Sequence, residues 1–236
     1  MMHLPSRAAL CALAILAVTA TPASAQTRAA GSTITYDVTQ GAAGPGMPSG
    51  ATNTTTLSFN IDRIDPDGSA HANATTKMAH VSSGDSPTFE ATIMPSGAIV
   101  LKYDPNMRPH FSLSKSYMRS ISGNQMAQQL QIEMDMANFN GFAGECSKRT
   151  LRTGMSWQGT TIGMMPTAVR YKVTGRQQQA GHDVFVVSMQ TGSGGIGSTS
   201  GLGYYDPAAR LVVGLHSVMT AAANGQGTVA DFTLKP

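Results

Sequence analysis

Two short patterns come closest to catalytic motifs, and both lack the partners that the chemistry needs. Ser112-Leu113-Ser114-Lys115 has the Ser-x-x-Lys spacing in which a lysine can activate a serine. The Lys-Thr-Gly strand that completes such penicillin-recognising sites does not occur in the chain. Gly197-Ser198-Thr199-Ser200-Gly201 has the spacing of a nucleophile elbow, but threonine stands at its centre. The sequence therefore indicates no catalytic residue and favours a protein that is not an enzyme.

The 15 methionines suggest copper binding as a possible chemistry, since soft thioether ligands select Cu(I). Met134-Asp135-Met136 and Met164-Met165 would supply the ligands, but no two histidines have the spacing of paired ligands on a helix or hairpin. Methionine also fills irregular apolar cores in place of leucine. The cluster of Asp62, Asp65 and Asp67 is too poor in ligands for calcium and predicts a hairpin turn. We expect no metal site and no cofactor, with a methionine and histidine copper protein as a less favoured alternative.

The first 25 residues have the pattern of a secretory signal peptide. Arg7 is followed by an apolar run over 8–20 and then by Ala23-Ser24-Ala25, a typical cleavage site. The run is too short to cross a bilayer of about 30 Å, and no later segment reaches the required length. We therefore expect cleavage near Ala25 and a periplasmic or secreted domain over 26–236, without a transmembrane segment.

Charge and cysteine content argue against nucleic-acid binding and against an internal disulfide. Only 12% of its residues are charged and the net charge is +3, so a nucleic-acid-binding surface is not indicated. After cleavage Cys146 is the single cysteine and cannot form an internal disulfide. We expect it to be a small residue in a loop beside Lys148 and Arg149, while a nucleophile or an intermolecular bridge stays the alternative.

The elements that would position any site are mainly strands. Residues 31–105 and 150–236 alternate apolar and polar side chains in short runs separated by turn residues. Asp65-Pro66-Asp67-Gly68 and Pro95-Ser96-Gly97 predict turns, and Gly41 to Gly50 predicts an exposed loop. Gly175 to Gly181 is interpreted as another turn. Short connections of this kind imply antiparallel pairing.

Residues 122–139 interrupt this pattern and predict one helix. Ser122 and Gln125 fit a capping box, and Asn140-Gly141 offers a helix end. The good helix formers between them outweigh an alternating pattern that a strand would also show. The apolar residues of this helix form two stripes, so it should be covered on two sides.

A resemblance emerges from four segments in the second half: Gly154-Met155-Ser156-Trp157, Tyr171-Lys172-Val173, Val184-Phe185-Val186-Val187, and Gly201 to Pro207. This series resembles exported β-rich proteins of Gram-negative bacteria over about 150–220. Their shape is similar to that of half-barrel envelope carriers of lipids or lipoproteins, in which a curved antiparallel sheet wraps a helix. The resemblance implies a fold and transfers no binding residue.

We therefore expect a mainly β (α+β) fold, a curved antiparallel sheet, half-barrel or sandwich packed on one central helix. Its function would be to bind an apolar small molecule or lipid between sheet and helix. The alternative is an assembly module that docks an envelope protein through exposed strand edges. The expected ligand-binding residues are Met126, Leu130, Met134, Met136, Phe139 and Trp157.

Overall fold

The computed structural model describes residues 28–43, 53–78, 88–101, 136–160, 168–191, 197–221 and 227–236. The predicted signal peptide and most of the predicted helix lie outside these ranges. The described part contains eleven strands and a helix over residues 136–147, labelled α1. The strands are β1 (Thr33–Ala43), β2 (Asn53–Ile64), β3 (Ala70–Met78), β4 (Thr88–Ile93), β5 (Ile99–Leu101), β6 (Ser156–Thr160), β7 (Ala168–Gln179), β8 (His182–Thr191), β9 (Gly197–Asp206), β10 (Leu211–Ala221) and β11 (Gly227–Leu234).

All eleven strands form one antiparallel sheet in the order β5-β4-β3-β2-β1-β11-β10-β9-β8-β7-β6. Every neighbouring pair is consecutive in the chain except β1 and β11, which align Val38 with Phe232. The predicted N-terminal strands and the predicted C-terminal strands are therefore joined through the pairing of β1 with β11. The strands β5 and β6, which flank α1 in sequence, are the two edges of the sheet. The predicted mainly β fold with a curved antiparallel sheet and a helix is confirmed.

One face of the sheet, called the inner face here, carries the core. Buried apolar residues alternate along each strand, as with Ile34, Tyr36 and Val38 on β1. Phe139 and Phe142 of α1 belong to the same buried cluster, so α1 packs on this face. The opposite face carries most of the exposed polar residues.

The sheet is strongly curved, and its turns meet at one end, called the closed end. Tyr205 Oη on β9 donates to Ser96 O in the β4–β5 turn at 3.2 Å. Arg28 bridges three backbone carbonyls there, those of Gly68 at 2.7 Å, Ile93 at 3.2 Å and Arg210 at 3.4 Å. In the sheet, β4 and β9 are separated by five strands. These contacts therefore require the sheet to fold over on itself.

The predicted turns were correct in two places and wrong in others. Gly68 and Gly97 lie in turns with φ of 85° and 88°, a conformation that glycine adopts readily. The predicted turn over 175–181 is wrong, since β7 continues to Gln179 and only Ala180-Gly181 form the turn. Gly175 instead follows a bulge, where the register shifts between Val173 and Gly175. The predicted loop over 41–50 is wrong at its start, because β1 extends to Ala43.

The helix also differs from its prediction. It overlaps the predicted range at 136–139 but continues through Asn140 and Gly141 to residue 147, so the predicted helix end is wrong. Cys146 consequently lies on α1 and is fully buried, which corrects its expected place in a loop. Within the described ranges, α1 is too short to span a bilayer, and no other helix could do so.

Candidate functional site

The contact between α1 and the inner face is the candidate site. Met136, Phe139, Phe142 and Cys146 recur at helical spacing and are at most 5% exposed. The Phe139 ring meets Tyr36 edge-on at 5.4 Å between centroids, and Phe232 at 5.2 Å. The side chains of Tyr36 on β1 and Phe232 on β11 thus pack against Phe139 of α1.

Phe142 is held by a strand that offers no side chain. A methyl group built on Gly203 of β9 would lie 2.6 Å from one carbon of the Phe142 ring and nearer still to two others. The ring therefore lies directly on the β9 backbone, which only glycine permits. Leu215 on β10 and Val187 on β8 flank Gly203 in the sheet register and are buried.

The last turn of α1 contacts the edge strand β6 through charged groups. Glu145 lies over Gly159, where an added methyl group would come within 2.5 Å of its Oε2. The Glu145 carboxylate pairs with Lys148 Nζ and with an Arg149 guanidinium nitrogen, each at 2.8 Å. The Arg149 guanidinium lies 5.1 Å from the Trp157 ring centroid, a cation–π distance.

Trp157 completes a three-layer stack at this edge. Its ring lies parallel to Tyr171 of β7, with centroids 5.2 Å apart and an interplanar angle of 15°. Its indole nitrogen is buried and has no hydrogen-bond partner among the described residues. Trp157 is thus an aromatic support for the end of α1.

The inner face changes from apolar to polar along its length. At the end of the sheet opposite the closed end, called the distal end, five different strands each place a buried polar side chain on the inner face. Toward the closed end the same strands carry residues such as Tyr36, Leu57 and Leu215. We call this group the polar rim: Gln40 (8% exposed), Thr55 (4%), Thr76 (3%), Thr191 (5%) and Ser217 (1%).

A cavity of about 460 Å³ also lies at the distal end. Thr191 of the polar rim and Val169 line it from the inner face, and Gln158, Arg170 and Gln190 line it from three neighbouring strands. Ala168 and Ser198 complete its described lining. The cavity is thus of mixed polarity and includes none of the residues expected to bind a ligand.

Burial favours the neutral form of one thiol and three phenol groups in the core. Burial raises the pKa of the Cys146 thiol far above its usual value, which leaves it without the thiolate that a nucleophile requires. Burial likewise raises the pKa of Tyr36 and Tyr171, and that of Tyr205 to about 12. Cys146 therefore lies inside the core with its thiol favoured over the thiolate.

Histidine–aspartate pairs form at His71, His182 and His216 among the described residues, and the His182 pair is buried and structural. His182 Nδ1 lies 2.8 Å from Asp206 Oδ2, while Asp206 Oδ1 accepts from the backbone of Ala208 and Ala209. The Nε2 atom, which would face a nucleophile in a triad, is buried without a partner among the described residues. The pair thus ties β8 to the β9–β10 turn. The described residues also include no group of three or more acidic, histidine or cysteine side chains that could hold a metal.

The structure places the described members of the expected site in or against one core cluster, although on different elements. Met136 and Phe139 lie on α1 in the core, whereas Trp157 lies on the edge strand β6. Four strands separate β11, which Phe139 contacts, from β6. Met126, Leu130 and Met134 lie outside the described residues. Sequence reasoning missed Phe142, although its spacing of three residues from Phe139 was a readable signal. It also missed Gly203 and Gly159, on which the Phe142 and Glu145 side chains of α1 lie.

Comparisons with known proteins give only distant similarity. No protein-family model matches the chain, and no curated protein matches it. A candidate exported protein with a YmcC-like fold from Bacteroides fragilis is 12% identical, with a TM-score of 0.37, over 90% of this chain and 99% of that one. The S-type phycobiliprotein lyase CPES from Guillardia theta is 7% identical, with a TM-score of 0.31, over 85% of each chain. A chain of the MucA/MucB complex of Pseudomonas aeruginosa is 11% identical, with a TM-score of 0.32, over 86% of this chain and 51% of that one. Similarity at this level is too low to transfer a function.

Proposed function

We propose that this chain is an exported, non-enzymatic envelope protein that holds an amphiphilic ligand against the inner face of its sheet. The apolar part of the ligand would point toward the closed end, and its polar group would meet the polar rim. The observation that carries this proposal is the change from apolar to polar side chains on one face at one end. Burying the polar group of a ligand costs free energy unless that group finds hydrogen-bond partners, and the hydroxyl and amide side chains of the polar rim are groups that can supply them.

The dimensions of the inner face suit a single acyl chain. From Ile34 near the closed end to Gln40 in the polar rim is six residues along β1, or about 20 Å at the usual rise of a strand. Phe139 and Phe142 already occupy part of this length. The apolar part of a ligand would therefore lie beside α1, where Met136 offers a flexible contact.

The residues expected from the sequence fit this proposal in different ways. Met136 and Phe139 would contact the apolar part of the ligand. Met126, Leu130 and Met134, which precede α1 in the sequence, would add further apolar contacts to it. Trp157 would act indirectly, since it supports Arg149 and the end of the helix.

The test separates recognition of the polar group from general apolar binding. Thr55→Val with Thr76→Val removes two hydroxyls of the polar rim with almost no change in shape. We expect the affinity for a fluorescent fatty acid to fall at least about fivefold, because two lost hydrogen bonds cost about 0.5–1.5 kcal/mol each. The affinity for pyrene, which has no polar group, should not change.

The matched control is Thr54→Val with Thr75→Val, which changes the same two strands on the outer face. It should leave both affinities unchanged. Protein purified from its periplasm should also carry an amphiphile detectable by native mass spectrometry. The proposal fails if the unmodified protein carries no amphiphile and binds no fatty acid.

A further inference from the structure

The two edges of the sheet differ, and the β5 edge is already occupied. Met94 N donates to Ala98 O at 2.7 Å, so the next pair, Ile93 and Ile99, is not hydrogen-bonded and the Ile99 backbone points outward. The Asn140 side chain of α1 takes both outward groups. Its Oδ1 accepts from Ile99 N and its Nδ2 donates to Ile99 O, each at 2.7 Å. Strand addition at Ile99 is therefore blocked.

The β6 edge shows the opposite arrangement. Val173 N donates to Met155 O at 2.8 Å, and the register continues with Trp157 opposite Tyr171. Because hydrogen-bonded pairs alternate, the backbones of Ser156, Gln158 and Thr160 point away from β7. All three residues are exposed, and no backbone hydrogen bond found within the described ranges reaches them from outside the sheet. An edge of this kind is a template for another strand.

The surface beside this edge is positively charged. Arg170 and Lys172 lie on the exposed face of β7, opposite Gln158 and Ser156 of β6 in the register. Neither has a carboxylate within ion-pair distance in the described part of the chain, whereas Arg176 further along β7 pairs with Asp183. Arg170 also lines the distal cavity. A strand added at β6 would lie about 10 Å from β7, within reach of long side chains from both sides.

We infer that β6 is a docking edge for an extended, acidic segment of a partner protein. The partner strand would pair with the outward backbone groups of Ser156, Gln158 and Thr160, and its acidic side chains would meet Arg170 and Lys172. Charge favours this partner over a second copy of the chain, because β6 paired with β6 would bring two sets of these cations onto one sheet. The inference is independent of the ligand proposal, since it uses the exposed face and not the inner one.

The chain's single tryptophan lies on β6 and reports directly on this edge. The probes are two ten-residue peptides, one alternating valine and glutamate and the other alternating valine and lysine. The glutamate peptide should change the Trp157 fluorescence at saturation, and the lysine peptide should not. The affinity should fall as salt is added, because exposed charges are screened.

Two variants test the two contributions separately. Gln158→Pro removes an outward N–H without touching the ladder to β7 and should weaken binding about tenfold, while Gln158→Ala should leave it unchanged. Arg170→Gln with Lys172→Gln should weaken binding several-fold, while Arg176→Gln, which removes a paired cation, should not.

Three outcomes would overturn the inference. The first is the absence of binding by the glutamate peptide, or equal binding by both peptides. The second is a dimer, seen by sedimentation, that Gln158→Pro disrupts while no peptide binds, which would assign the edge to a second copy. The third is binding to anionic phospholipid vesicles that survives Gln158→Pro but is lost with the two cations, which would assign the charge to a membrane surface.

Discussion

Replacing Gly203 with alanine is expected to lower the free energy of unfolding by about 0.5–2 kcal/mol. The new methyl group would lie 2.6 Å or less from three carbons of the Phe142 ring, whereas carbon atoms in contact are about 3.5–4.0 Å apart. The ring would have to move by about 1 Å within a core where it is fully buried. Overpacking of this kind costs about 1–3 kcal/mol, and the gain from replacing a strand glycine, about 0.5–1 kcal/mol, offsets only part of it.

A double-mutant cycle identifies Phe142 as the cause. Phe142→Ala alone should cost about 3–5 kcal/mol through the cavity that it leaves. In the double variant the methyl group of residue 203 enters that cavity, so the combined loss should be smaller than the sum by at least about 1 kcal/mol. Urea unfolding followed by circular dichroism measures each value. Gly175→Ala is the control, because no atom lies within 4 Å of its added methyl group, so it should not destabilise the fold and should gain at most about 0.5–1 kcal/mol. Additive losses, or equal effects at both glycines, would refute the packing argument.

Three further predictions follow from the same contacts. Since burial raises the pKa of the Cys146 thiol, Ellman's reagent at pH 8 should react with it only after unfolding, and a fast reaction in the native state would contradict its burial. Asn140→Leu should lower the free energy of unfolding by about 2 kcal/mol or more, because it removes both hydrogen bonds to the Ile99 backbone. It should also promote self-association, measured by sedimentation, because the Ile99 backbone groups become free. Asn138→Leu loses only a 3.6 Å contact to the Met219 sulfur and should have neither effect. Burial raises the pKa of Tyr205 to about 12 in the folded protein, from about 10 in the unfolded chain. Its contribution to stability is therefore complete below pH 10 and is lost between pH 10 and 12. Tyr205→Phe should thus make the melting temperature fall less steeply over that pH range.

Local signals predicted most of the strands because their causes are local. The alternation along β1 and the turn chemistry of Asp65 to Gly68 each depend on a few neighbouring residues. Gly175 shows where this fails, since a glycine beside a run of polar residues is equally compatible with a turn and with a bulge inside a long strand. The pairing partner β8 decides between them, and it cannot be recognised from β7 alone.

The end of α1 was mispredicted for a reason that lies in the tertiary structure. Asn140-Gly141 is a typical helix end, but Gly141 is buried and the Asn140 amide is engaged with Ile99. Contacts with the sheet thus override the local preference, and the helix continues until Phe142 and Cys146 are packed. The pairing of β1 with β11 was equally beyond prediction, because it joins Val38 and Phe232 from opposite ends of the chain.

The placement of α1 explains how an open sheet of eleven strands can enclose a core. Laid flat, ten strand spacings of about 4.8 Å would separate β5 from β6 by almost 50 Å. Yet Asn140 contacts β5 and Glu145 contacts β6, and these residues are only five apart, about 8 Å along the helix axis. The two edges must therefore approach each other, and polar side chains of α1 bridge them where strand pairing would close a barrel. On β5 the bridge takes the backbone groups of Ile99, whereas on β6 Glu145 only covers Gly159. The outward backbone groups of β6 are therefore not used by α1, and they form the edge that we propose as the docking site.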